Sequence, residues 1–108
     1  YDGMREIQWL KEAENELASI VGYVLDIHGQ NVALQVYDNI ISQIDLLSDF
    51  PELGTTETTH KYNGKILRVL HSKHVRIFYY IQETKIIIVL LWNNRMDDKT
   101  INKILAER

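Results

Sequence analysis

Arg68 and Arg76 flank a turn in LRVLHSKHVRIFYY, residues 67–80, and His71, Lys73 and His74 lie between them. A further arginine, Arg95, follows in WNNRMDD. Such positive charge around a turn is either an ordinary solvated surface or faces something anionic. Were that anion RNA, cleavage without a metal would require the 2′-OH to lose a proton, the 5′-oxygen to gain one and a cation to steady the charged phosphorane. Arginine is always charged and forks onto phosphate oxygens. Imidazole titrates near neutral pH and can move the protons. On this chemistry Arg76, Arg95 and Arg68 are the phosphate candidates, and His71 and His74 are the acid–base candidates, if the chain is a nuclease.

Each residue also has an ordinary use. Arg68 can pair with a helix carboxylate or lay its stem on apolar surface. A histidine at an exposed turn is usually just solvated. His-x-x-His could hold zinc, but no third ligand stands nearby in the sequence, so no metal or other cofactor is expected. Lys61, Lys65 and Lys73 could follow a phosphate backbone or another anionic partner, although loop lysines are usually solvated. Tyr79 and Tyr80 are adjacent on a strand, so they face opposite sides of a sheet. One should be core, and the other is free to stack on a base or cover a partner groove. Trp92 ends an apolar run and reads as packing.

The balance of charge gives these residues a setting. The 108-residue chain has a net charge of −3 and a pI near 5.8. Residues 1–49 hold nine Asp/Glu against two Lys/Arg, whereas residues 50–108 hold six against ten. No acid occurs from Thr58 to Gln82. Such separation fits an anionic partner on one side, or a solvated basic face. The absence of cysteine excludes disulfides, thiolate metal sites and a cysteine nucleophile. No apolar run approaches the roughly 20 residues of a membrane helix, and no signal peptide is evident, so a cytoplasmic protein is expected. Tyr1-Asp2-Gly3 precedes a plausible start at Met4 and reads as vector-derived. Residues 4–108 are expected to form one domain.

The elements that must position the candidates follow from periodicity. Residues 5–9 alternate as a half-buried strand does. From Ala13 the period becomes helical, with Leu17, Ile20, Val21, Val24 and Ile27 on one stripe. Gly29 suits the end of this helix, and Asn31 could cap the next. Val32, Val36, Ile40, Ile44 and Leu47 form the second stripe, which Pro51 stops. A helical hairpin results. Residues 55–65 read as a long polar loop, or as a short edge strand at the threonines. Ile66–His71 and Val75–Ile81 read as a hairpin, and Lys85–Trp92 as a central strand covered on both faces. Asp97 or Asp98 could cap a final helix bearing Ile101, Ile104 and Leu105. The expected class is α+β: an N-terminal strand, a two-helix hairpin packed on a small, mainly antiparallel four-stranded sheet, and a short C-terminal helix.

This order resembles the RelE/ParE superfamily of type II toxin–antitoxin and plasmid-stabilisation toxins. EIQWLKEAENELASIVGYV is similar to the family's first strand and helix, and LLSDFPELG to the end of its second helix. LRVLHSKHVRIFYYI and IIIVLLWNNRMDD resemble the later strands and their arginines. The resemblance runs from Met4 to about Leu105. It implies a cognate antitoxin partner. In the RelE-like branch it implies a ribosome-dependent mRNA endonuclease, with Arg76 at the strand arginine and Arg95 after the last strand. In the ParE-like branch it implies inhibition of growth by binding a target such as DNA gyrase, and Arg68 matches that branch's Leu-Arg pattern. RelE-like nucleases are strongly basic, as ribosome binding requires. The acidic pI, Leu67 and Val69 in place of alternating lysines, and a C-terminus without a His-Tyr pair favour the ParE-like branch. A third reading is a non-toxic, antitoxin-binding relative.

Overall fold

The apolar stripe that starts at Ala13 belongs to helix α1, Lys11–His28, in the computed structural model, which describes residues 5–108. Met4 and the vector-derived reading of Tyr1-Asp2-Gly3 lie outside the described residues. Strand β1, Glu6–Trp9, precedes α1, and helix α2, Gln30–Asp49, follows it. Gly29 alone joins the helices, at φ +87° and ψ 176°. Only glycine adopts that backbone region readily. Its N–H closes α1 on the Leu25 carbonyl, and its own carbonyl accepts from Ala33 to open α2. Asn31 therefore lies inside α2 rather than capping it, because one glycine already makes the whole reversal.

Among the described residues the sheet holds five strands in the order β1-β5-β4-β3-β2. They are β2, Thr55–Thr56; β3, Arg68–His71; β4, Val75–Gln82; and β5, Lys85–Asn93, besides β1. Only β1 runs parallel to its neighbour β5; the other pairings are antiparallel. The four expected strands are thus joined by a two-residue edge strand of threonines. Within the long polar stretch, Tyr62 and Lys65 also pair across Asn63-Gly64, both at positive φ. That is the turn chemistry which Asn-Gly favours.

Strand β5 is covered on both faces, which accounts for its unbroken apolar run, and it carries a bulge. Phe78 faces Leu90, but the next residue, Tyr79, faces Ile88, so Val89 is extra. Ile86, Ile88 and Leu91 join the core under the helices with Ile40, Ile44 and Leu47. Ile87, Val89, Leu90 and Trp92 join a second core on the other face. There they meet Ile101 and Leu105 of helix α3, Ile101–Ala106. Asp97 caps the 3-10 turn Asp98–Thr100 that leads into α3, its side chain accepting from the Lys99 N–H at 3.0 Å. The face opposite the helices is therefore largely roofed, not an open basic surface.

The helical stripes are buried only over part of their length. Between Leu25 and Gln35 only Ala33 is buried. Ile27 and Val32, expected on the inner stripes, are 58% and 39% exposed. Their periodicity is helical, but the sheet offers nothing to cover the hairpin's tip.

Candidate functional site

The three candidate arginines lie in three separate places. Arg68 sits on the helix-facing side of β3, opposite Tyr79. Its Nε donates to the Gly54 carbonyl at 3.0 Å and its Nη2 to the Glu52 carbonyl at 3.2 Å. The Tyr79 hydroxyl donates to the Pro51 carbonyl at 2.7 Å and accepts from the Gly54 N–H at 2.9 Å. A side chain at Gly54 would collide with that hydroxyl and with the Val69 carbonyl, each 2.8 Å from the added carbon. Together these contacts pin the turn after α2. Tyr79 is fully buried, and burial raises its pKa above the ordinary phenol value. It is therefore a core residue, not a surface for stacking.

Arg76 points to the other face, beside His71 and Trp92 on the neighbouring strands. Its guanidinium pairs with Asp98 from the turn before α3. That contact, above all, holds the Asp98 carboxyl below the usual range. On the same side His60 links the loop to α3. Its Nδ1 lies 3.0 Å from the Asn102 side-chain oxygen, and its Nε2 lies 3.6 Å from Glu57. Tyr80 also faces this side, 5.9 Å from the Tyr62 ring, with the Lys65 ammonium 5.4 Å from its centroid. Burial first, then Tyr62, raises the Tyr80 pKa. Lys61 is exposed on the loop, at a shallow hollow that Lys65 also lines.

Arg95 stands at the far end of the helix side, where it borders a cleft of about 280 Å³. Helices α1 and α2 contribute Ile20, Val24, Val32 and Val36 to its lining. The turn between β3 and β4 contributes Lys73 and His74, and the end of β5 with the turn after it contributes Asn93, Asn94 and Arg95. Arg95 is held over Tyr23, its Nη1 donating to the hydroxyl at 3.2 Å and its Cζ 5.8 Å from the ring centroid. The Asn94 N–H and side-chain amide donate to the His74 and Ser72 carbonyls at 3.2 and 3.3 Å. These bonds clasp the two turns together. His28 completes the cleft at the end of α1.

The structure thus brings Lys73, His74 and Arg95 together and leaves His71 with Arg76. No group of three or more His, Asp or Glu could hold a metal among the described residues. Tyr23 and His28 escaped the sequence reading, since neither carries a local signal and Tyr23 is 72 positions from Arg95. No described helix is long and apolar enough to cross a membrane.

A family model, the ParE toxin of the type II toxin–antitoxin system parDE, matches residues 7–98. Among solved structures, the chain is similar to a chromosomal ParDE TA system from P. aeruginosa. The two are 18% identical and superpose with a TM-score of 0.70, over 84% of this chain and 97% of that one. At that identity the likeness concerns the fold. No curated protein matches the chain.

Proposed function

The chain belongs to the ParE toxin family of type II toxin–antitoxin systems, and from that premise we propose that it inhibits growth by binding a protein target, DNA gyrase, rather than by cutting RNA. A cognate antitoxin is the partner that the family implies. The observation that carries the binding reading is the dispersal of the cationic candidates. Arg68 is engaged by main-chain carbonyls, Arg76 by Asp98, and Arg95 lies apart from both, at the cleft with Lys73 and His74. A phosphorane needs several cations and a proton carrier around one atom. Dispersed residues suit protein recognition instead.

A second reading retains two specific observations in its favour. Arg76 and His71 are cross-strand neighbours, and Lys73, His74 and Arg95 share one cleft, so cations and an imidazole do meet. On that basis a ribosome-dependent mRNA endonuclease is the alternative. Two assays separate the readings. Purified chain should inhibit supercoiling by gyrase while leaving mRNA intact in a cell-free translation reaction. In-frame cuts that need ribosomes and vanish in Arg76→Ala would overturn the binding reading. No effect in either assay, with normal growth on expression, would instead identify a non-toxic antitoxin-binding relative.

A further inference from the structure

Arg76 and Arg108 each meet a carboxylate. The ion pairs among the described residues are His60–Glu57, Arg76–Asp98 and Arg108–Glu16, and none borders the cleft. Among the described residues no Asp or Glu lines the cleft, although acids outnumber bases fifteen to twelve in the chain. Arg95 is instead steadied by a phenol, which orients the guanidinium without neutralising it. Lys73 adds a second cation on the same wall. The opposing wall is mainly aliphatic, with Ile20, Val24, Val32 and Val36 beside Tyr23 and His28.

We propose that this cleft is a docking site for a partner polypeptide that presents an acidic side chain beside an apolar one. The proposal rests on the reading that the protein acts by binding proteins, and it deepens that reading. The two walls require both properties in one occupant. An anion alone would leave hydrocarbon wet, and a purely apolar group would strip water from Arg95 without replacing it. The cleft is open on its helix side, where its lining residues Tyr23 and Val32 remain 49% and 39% exposed. An extended chain can cover that open rim, whereas a free small acid would leave it bare. Carboxylate is the side-chain anion that matches the planar fork of arginine.

The test uses nitrogen-labelled protein and three probes: a short peptide with Leu-Glu at its centre, the same peptide with Leu-Gln, and 4-methylpentanoate. The Leu-Glu peptide should shift the amides of Tyr23, Val32, His74 and Asn94. The Leu-Gln peptide should bind about tenfold more weakly, the loss expected when a charge-assisted contact disappears. Arg95→Gln should erase the difference between the peptides, and Lys73→Gln should reduce it, with circular dichroism unchanged. Equal binding of both peptides, or shifts confined to other regions, would overturn the proposal. Binding of 4-methylpentanoate as tight as the Leu-Glu peptide would make the cleft a small-acid site and overturn it as well. The gyrase assay on the unaltered chain is independent, so failure here leaves the toxin reading to stand or fall by itself.

Discussion

Arg76 sits beside His71 and Trp92, and Asp98 reaches it from the turn before α3. A guanidinium with an engaged carboxylate presents far less charge to an incoming phosphate. The same contact lowers the pKa of Asp98 on folding. The pair's contribution is therefore present above the ordinary carboxylate pKa, about 4. It is lost as pH falls through the lower folded value. Replacing Arg76 with Gln should move the Asp98 titration back up toward about 4 in carbon-detected NMR; an unmoved titration would mean that the pair does not form in solution. Tyr79 makes a different demand. Tyr79→Phe keeps the ring but leaves the Pro51 carbonyl and the Gly54 N–H without their partner. Urea denaturation should show a loss of about 1–3 kcal/mol. A negligible loss would mean that water replaces the hydroxyl.

At the scale of elements, the central strand has an edge to close. β1 pairs with β5 only as far as Ile88, and Leu10 makes the last main-chain bond there. Beyond it, the Leu91 N–H donates to the Glu16 carboxylate at 3.1 Å, and Arg108 donates to the Val89 carbonyl at 3.2 Å. Glu16 and Arg108 also pair with each other. An ion pair thus supplies the acceptor and donor that a further strand would have supplied, next to the bulge. Open strand edges invite pairing with other chains. In Glu16→Ala, the Leu91 amide should exchange with solvent markedly faster than the Ile77 amide, measured by hydrogen exchange. Equal slowing or speeding of both amides would mean that Glu16 acts on global stability instead of on the edge.

The whole molecule leaves apolar surface where its layers end. Ile27 and Leu34, near the hairpin's turn, are 58% and 52% exposed. An uncovered apolar end of this kind drives association in water. The free chain should therefore sediment with an apparent mass that rises above 12.7 kDa as concentration increases. A double variant, Ile27→Glu with Leu34→Glu, should remain at the monomer mass. A monodisperse unaltered chain at high concentration would remove the idea.

The order of elements, the helical hairpin and the central strand were legible in the sequence because periodicity and turn chemistry act between near neighbours. The polar limit at Pro51, the glycine at 29 and the seven apolar residues Ile86–Trp92 are signals of that kind. The Asn-Gly pair at 63–64 is a signal of the same local kind, and it turns Tyr62 back onto Lys65 within the polar stretch. Three features belonged to the tertiary structure alone. Asp98 meets Arg76, Tyr23 steadies Arg95, and Glu16 with Arg108 closes the edge of β5. Each joins residues far apart in the chain, and a contact of that range depends on the path of the backbone. No local pattern encodes which carboxylate a given arginine will meet. Burial along the hairpin was decided the same way: the stripes run on through Ile27 and Val32, but the sheet beneath them stops.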